Sequence, residues 1–348
     1  MELSKDDVKM TKGLAILAML CLHLFCRRGT DIKISYFLWF SDDTPLLYYL
    51  GFFCECCVAI YSFCAGYAQY LLAEKAPTIK EYVKQSLWRL LKFAINCWTI
   101  LTLFYILAFI IGRQNVFGEG VGKLLLNFTL TQKDFNGAWW YVFTYIILTI
   151  ISPVLYWICK KSNSILCVVT VIIIGVSWWV VLRMGVLEIS SWSMIQVSNI
   201  VKSDVLAAYM IGMIFRKERY ISLIRKKVIE TNNWIIFMLS GLIFVVVSLI
   251  QKAVVMPFVG IIVVIIFSIL KKGEKTKKLF LFLGMHSTNI WLLHMFFYAE
   301  SSLFPDLVFG VKYPIAVLGL LLFLSIMSSY VVMGGSNLIY KYIDKAKR

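Results

Sequence analysis

The chain of 348 residues is 60% apolar and 16% aromatic, while only 16% of its residues are charged. A soluble domain carries about 25% charged residues, so this composition, with a mean hydropathy of +0.81, excludes an ordinary water-soluble enzyme and makes the bilayer the solvent. The net charge of +16 suggests nucleic acid at first sight, but the basic residues fall in alternate loops, the pattern of membrane orientation rather than of a nucleic-acid face.

Apolar run length predicts ten spanning segments, at 12–26, 46–73, 88–111, 137–159, 164–183, 203–215, 232–250, 253–270, 279–300 and 313–340. The expected fold is an all-α polytopic membrane bundle of about ten transmembrane helices, forming one domain over residues 1–348. The lead of Glu2, Lys5, Asp6, Asp7 and Lys9, with no small-residue cleavage site after the first apolar run, predicts that the first helix is retained. The stretch 232–270 would be about 58 Å long as one helix, nearly twice the hydrocarbon thickness, so a tight turn is expected at Gln251 and Lys252. Of the 35 Lys and Arg residues, 25 fall on the side that holds both termini. Both termini are therefore expected in the cytoplasm of a multi-pass protein of the cell membrane. Lys345, Lys347 and Arg348 read as a solvated tail near anionic lipid.

The nine cysteines lie in or beside apolar spans, with Cys54, Cys56, Cys57 and Cys64 crowded into the second. Their spacing lacks the paired pattern of a structural zinc site, and they suit packing as small apolar groups, so neither a metal nor a disulfide framework is expected. There is no Gly-rich phosphate loop, no G-x-S-x-G and no fixed-period repeat.

Function must then come from polar residues inside the membrane, where ionisable groups are costly. These are His23, Glu55, Arg89, Lys92, His286 and His294. Lys12 precedes His23 by eleven positions, which is about 16 Å and three helical turns, so the two share nearly one face at opposite depths. A histidine in a membrane helix is commonly a packing group, and His286 reads that way. Arg89 and Lys92, three apart at a helix start, share a face. Trp139 and Trp140 stand where interfacial aromatic belts occur.

Lys12-Gly13-Leu14-Ala15-Ile16-Leu17 running to His23 resembles the opening helix of the acyltransferase 3 family, integral-membrane enzymes that O-acylate bacterial surface glycans. Val58 to Tyr67 resembles the family's second helix, Arg89-Leu90-Leu91-Lys92 its Arg-x-x-Arg, Trp139-Trp140-Tyr141 its Trp-Phe start of the fourth helix with Pro153 ending that run, and Ser287 to His294 its late Ser…His segment. Two positions depart from the pattern: Ala65 stands where the family usually has Ser, and Lys92 where it usually has Arg.

The resemblance implies O-acyl transfer, foremost acetyl, from cytoplasmic acetyl-CoA or another acyl-CoA to a hydroxyl of an extracytoplasmic glycan or lipid-linked sugar, without a metal. In it Lys12, Arg89 and Lys92 would hold the coenzyme A phosphates. His23 would act as general base, with a covalent acyl-histidine as the rival mechanism. His294 would be a second site residue, and Trp139 and Trp140 would contact the acceptor; Glu55, which the family does not commonly have, stands by its depth near His23, where it would orient the imidazole or pair with a cation. Many relatives add an esterase-like domain after the last helix. Here only Lys341 to Arg348 follow, so the chain is expected to work alone, as a homo-oligomer or with a separate extracytoplasmic protein. The competing readings are an exporter without chemistry, against which the missing inverted repeat weighs, and a silent interaction subunit.

Overall fold

The computed structural model describes residues 2–117, 121–130, 135–183, 203–228, 232–252, 255–299 and 302–346. Lys133, Lys202, Lys347 and Arg348, which contribute to the charge asymmetry, lie outside them.

The chain begins with a capping box: the Ser4 hydroxyl accepts from the Asp7 N–H, and the Asp7 carboxylate accepts from the Ser4 N–H, both at 3.0 Å. This starts α1 (Lys5–Phe25). A short antiparallel hairpin, β1 (Trp39–Ser41) and β2 (Thr44–Pro45), follows in the loop. Then come α2 (Leu47–Phe53), α3 (Cys57–Lys75), α4 (Ile79–Ile110), α5 (Val121–Phe128), α6 (Trp140–Lys161) and α7 (Ser164–Arg183). The rest of the chain forms α8 (Ser203–Lys217), α9 (Tyr220–Lys227), α10 (Asn233–Ile250), α11 (Met256–Ile269), α12 (Glu274–Leu293) and α13 (Pro314–Ala346). The protein is an all-α polytopic membrane protein, and among the described residues seven helical segments are long and apolar enough to cross a bilayer. Gln251 closes α10 in the left-handed conformation, φ 44°, so the turn expected there is present.

Three local departures from the predicted helices bear on the site. The second span is interrupted by a 3₁₀ turn at Cys54–Cys56, which carries Glu55. The span ending at His294 likewise leaves regular α geometry, and His294–Phe297 form a 3₁₀ turn. Pro153, expected to end its run, lies inside α6. A proline leaves the carbonyl four residues earlier without its donor. Here that carbonyl belongs to Thr149, and the Ser152 hydroxyl donates to it at 2.8 Å. In a bilayer no water competes for the helix backbone, so this one substitute is enough to carry the helix through.

The buried core joins Ile16, Leu20 and Leu24 of α1 to Ile100 and Phe104 of α4, Leu292 and Phe296 beside α12, and Leu321 of α13. Helices α1 and α12 cross with backbone against backbone: a Cβ on Gly13 would run into the Phe280 carbonyl, and one on Gly284 into the Lys9 carbonyl. Small residues permit such close crossings in membranes, where dispersion rather than water drives association. From this crossing each helix rises ten residues, about 15 Å, to a histidine: His23 on one, His294 just past the end of the other.

Candidate active site

That common rise brings the two histidines together. Their ring centroids lie 4.9 Å apart with the planes inclined by 46°. His294 is fully buried, and its Nδ1 lies 2.7 Å from the Trp291 carbonyl. A carbonyl only accepts, so Nδ1 carries the hydrogen and Nε2 keeps its lone pair. That Nε2 is buried without a hydrogen-bond partner. The ring nitrogens of His23 have no hydrogen-bond partner among the described residues, and His23 faces a cavity of about 280 Å³.

Met19, His23, Glu55, Tyr61, Trp140, Tyr141 and Trp291 are among the residues lining this cavity. Glu55 reaches it because the 3₁₀ turn breaks the second span at this depth. Irregular backbone at membrane depth is tolerated where it is enclosed by protein or lines a polar space. A smaller cavity of about 70 Å³ is lined by Lys12, Ala65 and Phe93, and by the same three aromatic side chains, Tyr61, Tyr141 and Trp291. These three therefore stand between the Lys12 space and the His23 space. They are held in place by named contacts: Tyr141 Oη lies 2.9 Å from Ser62 Oγ, Tyr61 Oη donates to the Lys12 carbonyl at 3.4 Å, and Trp291 Nε1 donates to the Ala138 carbonyl at 3.1 Å.

The cations expected at the other end do not act as one group. Arg89 lies within electrostatic range of Lys12, and also of Tyr82 and Tyr145. Lys92 has its Nζ 5.0 Å from the Trp88 ring and 5.4 Å from the Tyr340 ring. Three positions apart on α4, the two side chains have different aromatic neighbours. Among the described residues none of the three has a carboxylate partner. Lys12 and Arg89, near each other and with no carboxylate partner among the described residues, suit a phosphate-bearing ligand.

Trp139 and Trp140 also part. Trp140 lines the large cavity, whereas Trp139 is buried and its indole N–H donates to the Leu292 carbonyl at 3.0 Å, joined there by the Asn136 amide at 2.9 Å. Trp139 is neither a lipid-facing belt residue nor a cavity wall; it fixes the segment that carries His294. His286 is fully buried with Nδ1 2.8 Å from Ser329 Oγ, a contact between α12 and α13. The three aromatic residues between the cavities are the part of the site that the sequence reading missed. In an apolar run such residues look like core, and only their junction with two separate spaces distinguishes them.

The fold defines an all-α multi-pass membrane protein. Residues 6–335 match the acyltransferase 3 family, described as an acyltransferase domain, and the chain belongs to that family. It is a membrane acyltransferase. No curated protein and no solved structure matches it.

Proposed function

We propose that the enzyme moves an acyl group, acetyl foremost, from cytoplasmic acyl-CoA to a hydroxyl of an extracytoplasmic glycan or lipid-linked sugar. The observation that carries this reading is the pair of cavities, one with Lys12 and one with His23, separated only by Tyr61, Tyr141 and Trp291. Phosphates of the donor sit against Lys12 and Arg89, and the pantetheine arm passes the three aromatic side chains to bring its thioester to the depth of His23. The rise of about 16 Å between Lys12 and His23 matches that task.

At the far end a ring nitrogen of His23 takes the proton from the acceptor hydroxyl as its oxygen attacks the thioester carbonyl. The tetrahedral intermediate collapses with cleavage of the C–S bond, the imidazolium returns its proton to the departing sulfur, and ester and free coenzyme A leave. Glu55 and the lone pair on His294 Nε2 stabilise the transient positive charge on His23. Trp140 offers a flat face for the sugar. The reading is tested by comparing ester content of the surface glycans of cells with and without the gene, together with acyl-CoA titration of the purified protein. Unchanged glycans and no acyl-CoA binding would remove it.

A further inference from the structure

A second, larger cavity of about 870 Å³ lies apart from the His23 site. It is a groove between the loop that follows α1, the start of α2 and the end of α10, with Phe37, Leu47, Leu50, Phe244 and Val245 among its walls. Apolar walls alone mean little in a membrane protein. Three further observations concern its polar end. Ser248 and Tyr36 both line it, and the hydroxyl of each is buried without a partner. Ser240, two turns away on the same helix, instead donates to the Ile236 carbonyl at 2.7 Å, so the bare Ser248 hydroxyl is not the habit of this helix. Buried polar atoms are rarely left unpaired, and each such exception calls for an explanation.

The third observation is charge. Gln251 lines the groove, and its side-chain oxygen accepts from Arg28 Nη2 at 2.6 Å. The exposed Arg28 guanidinium also lies 3.9 Å from the Tyr48 ring, and Lys252 follows Gln251 in the same turn. Asp43 is within electrostatic range of Arg28, but its carboxylate already accepts from the Ser41 and Thr44 hydroxyls, each at 2.8 Å. Arg28, Ser248 and Gln251 all stand at the same end of the groove, and Leu50 and Phe244 extend it inward.

We propose that this groove binds a lipid phosphate, the apolar chain lying along Leu47, Leu50 and Phe244 and the phosphate oxygens meeting Arg28 beside Gln251 at the end of α10. This rests on the acyl-transfer reading in one respect only, that the acceptor arrives from this face, and it narrows the acceptor to a sugar linked to lipid through phosphate. Connectivity supports the link. Arg28 lies in extended backbone three residues past the end of the helix that carries His23, and Leu50 of the groove precedes Glu55 of the His23 cavity on the same interrupted span.

The test is photolabelling of the purified full chain in detergent with two alkyl probes that carry the same diazirine chain, one ending in phosphate and the other in a hydroxyl. Saturable labelling of peptides 36–50 and 244–251 by the phosphate probe is expected, and the hydroxyl probe should label them weakly. Arg28→Gln should lower phosphate-probe labelling about ten-fold or more, Arg28→Lys should retain most of it, and Val245→Trp should block the groove. Arg28 is exposed, so its replacement leaves folding intact. Equal labelling by both probes, or labelling that Arg28→Gln and Val245→Trp leave unchanged, overturns the proposal. Labelling needs neither acyl-CoA nor turnover, so it succeeds or fails independently of acyl transfer.

Discussion

His23 and His294 stand on different spans, yet their rings meet at a centroid separation of 4.9 Å. One ring opens to the cavity, and the other is sealed behind it with its Nδ1–H spent on the Trp291 carbonyl. In the proposed mechanism the asymmetry gives them different parts: His23 exchanges a proton with substrate, and His294 acts on His23.

The first prediction follows directly. His23→Gln keeps much of the side-chain volume but takes no proton at neutral pH, and it should lower transfer by roughly 10²–10⁴-fold with acyl-CoA affinity unchanged. A single-turnover assay beside a donor titration measures both; an active His23→Gln enzyme would remove His23 from the chemistry. Rapid quench with labelled donor and no acceptor adds the mechanism, since only a covalent route leaves acyl-His23.

His294→Gln should leave KM for the donor unchanged and lower kcat by a smaller factor, about 10–100-fold, because it supports a proton transfer without performing one. The steady-state split between kcat and KM decides this. A rise in KM alone would instead place His294 in donor binding.

Arg89 and Lys92 should differ. Arg89→Ala is expected to weaken acyl-CoA binding by about 1.5–3 kcal/mol, the worth of a charge-assisted hydrogen bond. Lys92→Ala should cost under about 1 kcal/mol, since Lys92 lies over Trp88 and Tyr340. Isothermal titration of both variants is the check, and equal losses would return Lys92 to the donor site.

Orientation is open to direct mapping. Reporter fusions should place residues 27–45 outside the cell, and the segments 216–228 and 271–273 inside, as the distribution of 25 of the 35 basic residues on one side requires. A cytoplasmic 27–45 loop would put His23 and the lipid groove on the wrong side for an outward acceptor.

The helices were legible because bilayer solvation leaves a coarse signal: long apolar runs, with charge confined to the loops. The Lys12-to-His23 relation was legible for a related reason, being a matter of rise along a single helix. Glu55 was visible as a charge in a membrane span. The break that turns it into the cavity was not, since Cys54–Cys56 contains neither Gly nor Pro. The divergence of Arg89 and Lys92 depends on Trp88 and Tyr340, and the burial of Trp139 on the Leu292 carbonyl; such partners lie far off in sequence or on other faces. The lipid groove was invisible for the same reason, because Ser248 and Tyr36 acquire meaning only from hydrogen bonds they do not make.

The crossing of α1 and α12 sets a last expectation. Gly13→Ala should destabilise the protein by about 1–3 kcal/mol, seen as a lower unfolding temperature in detergent, because the added methyl meets the Phe280 carbonyl rather than a side chain that can swing away. Normal stability in that variant would contradict the close approach.

Because main chain touches main chain at that crossing, the two helices that lead to the histidines meet at a backbone contact ten residues before the pair. Met19, Met256 and Trp140 line the cavity and take no part in that contact. On the proposed function, the proton-handling pair thus rides on a backbone chassis while acceptor preference belongs to the cavity walls, so altering the walls is the route by which such an enzyme would reach new acceptors.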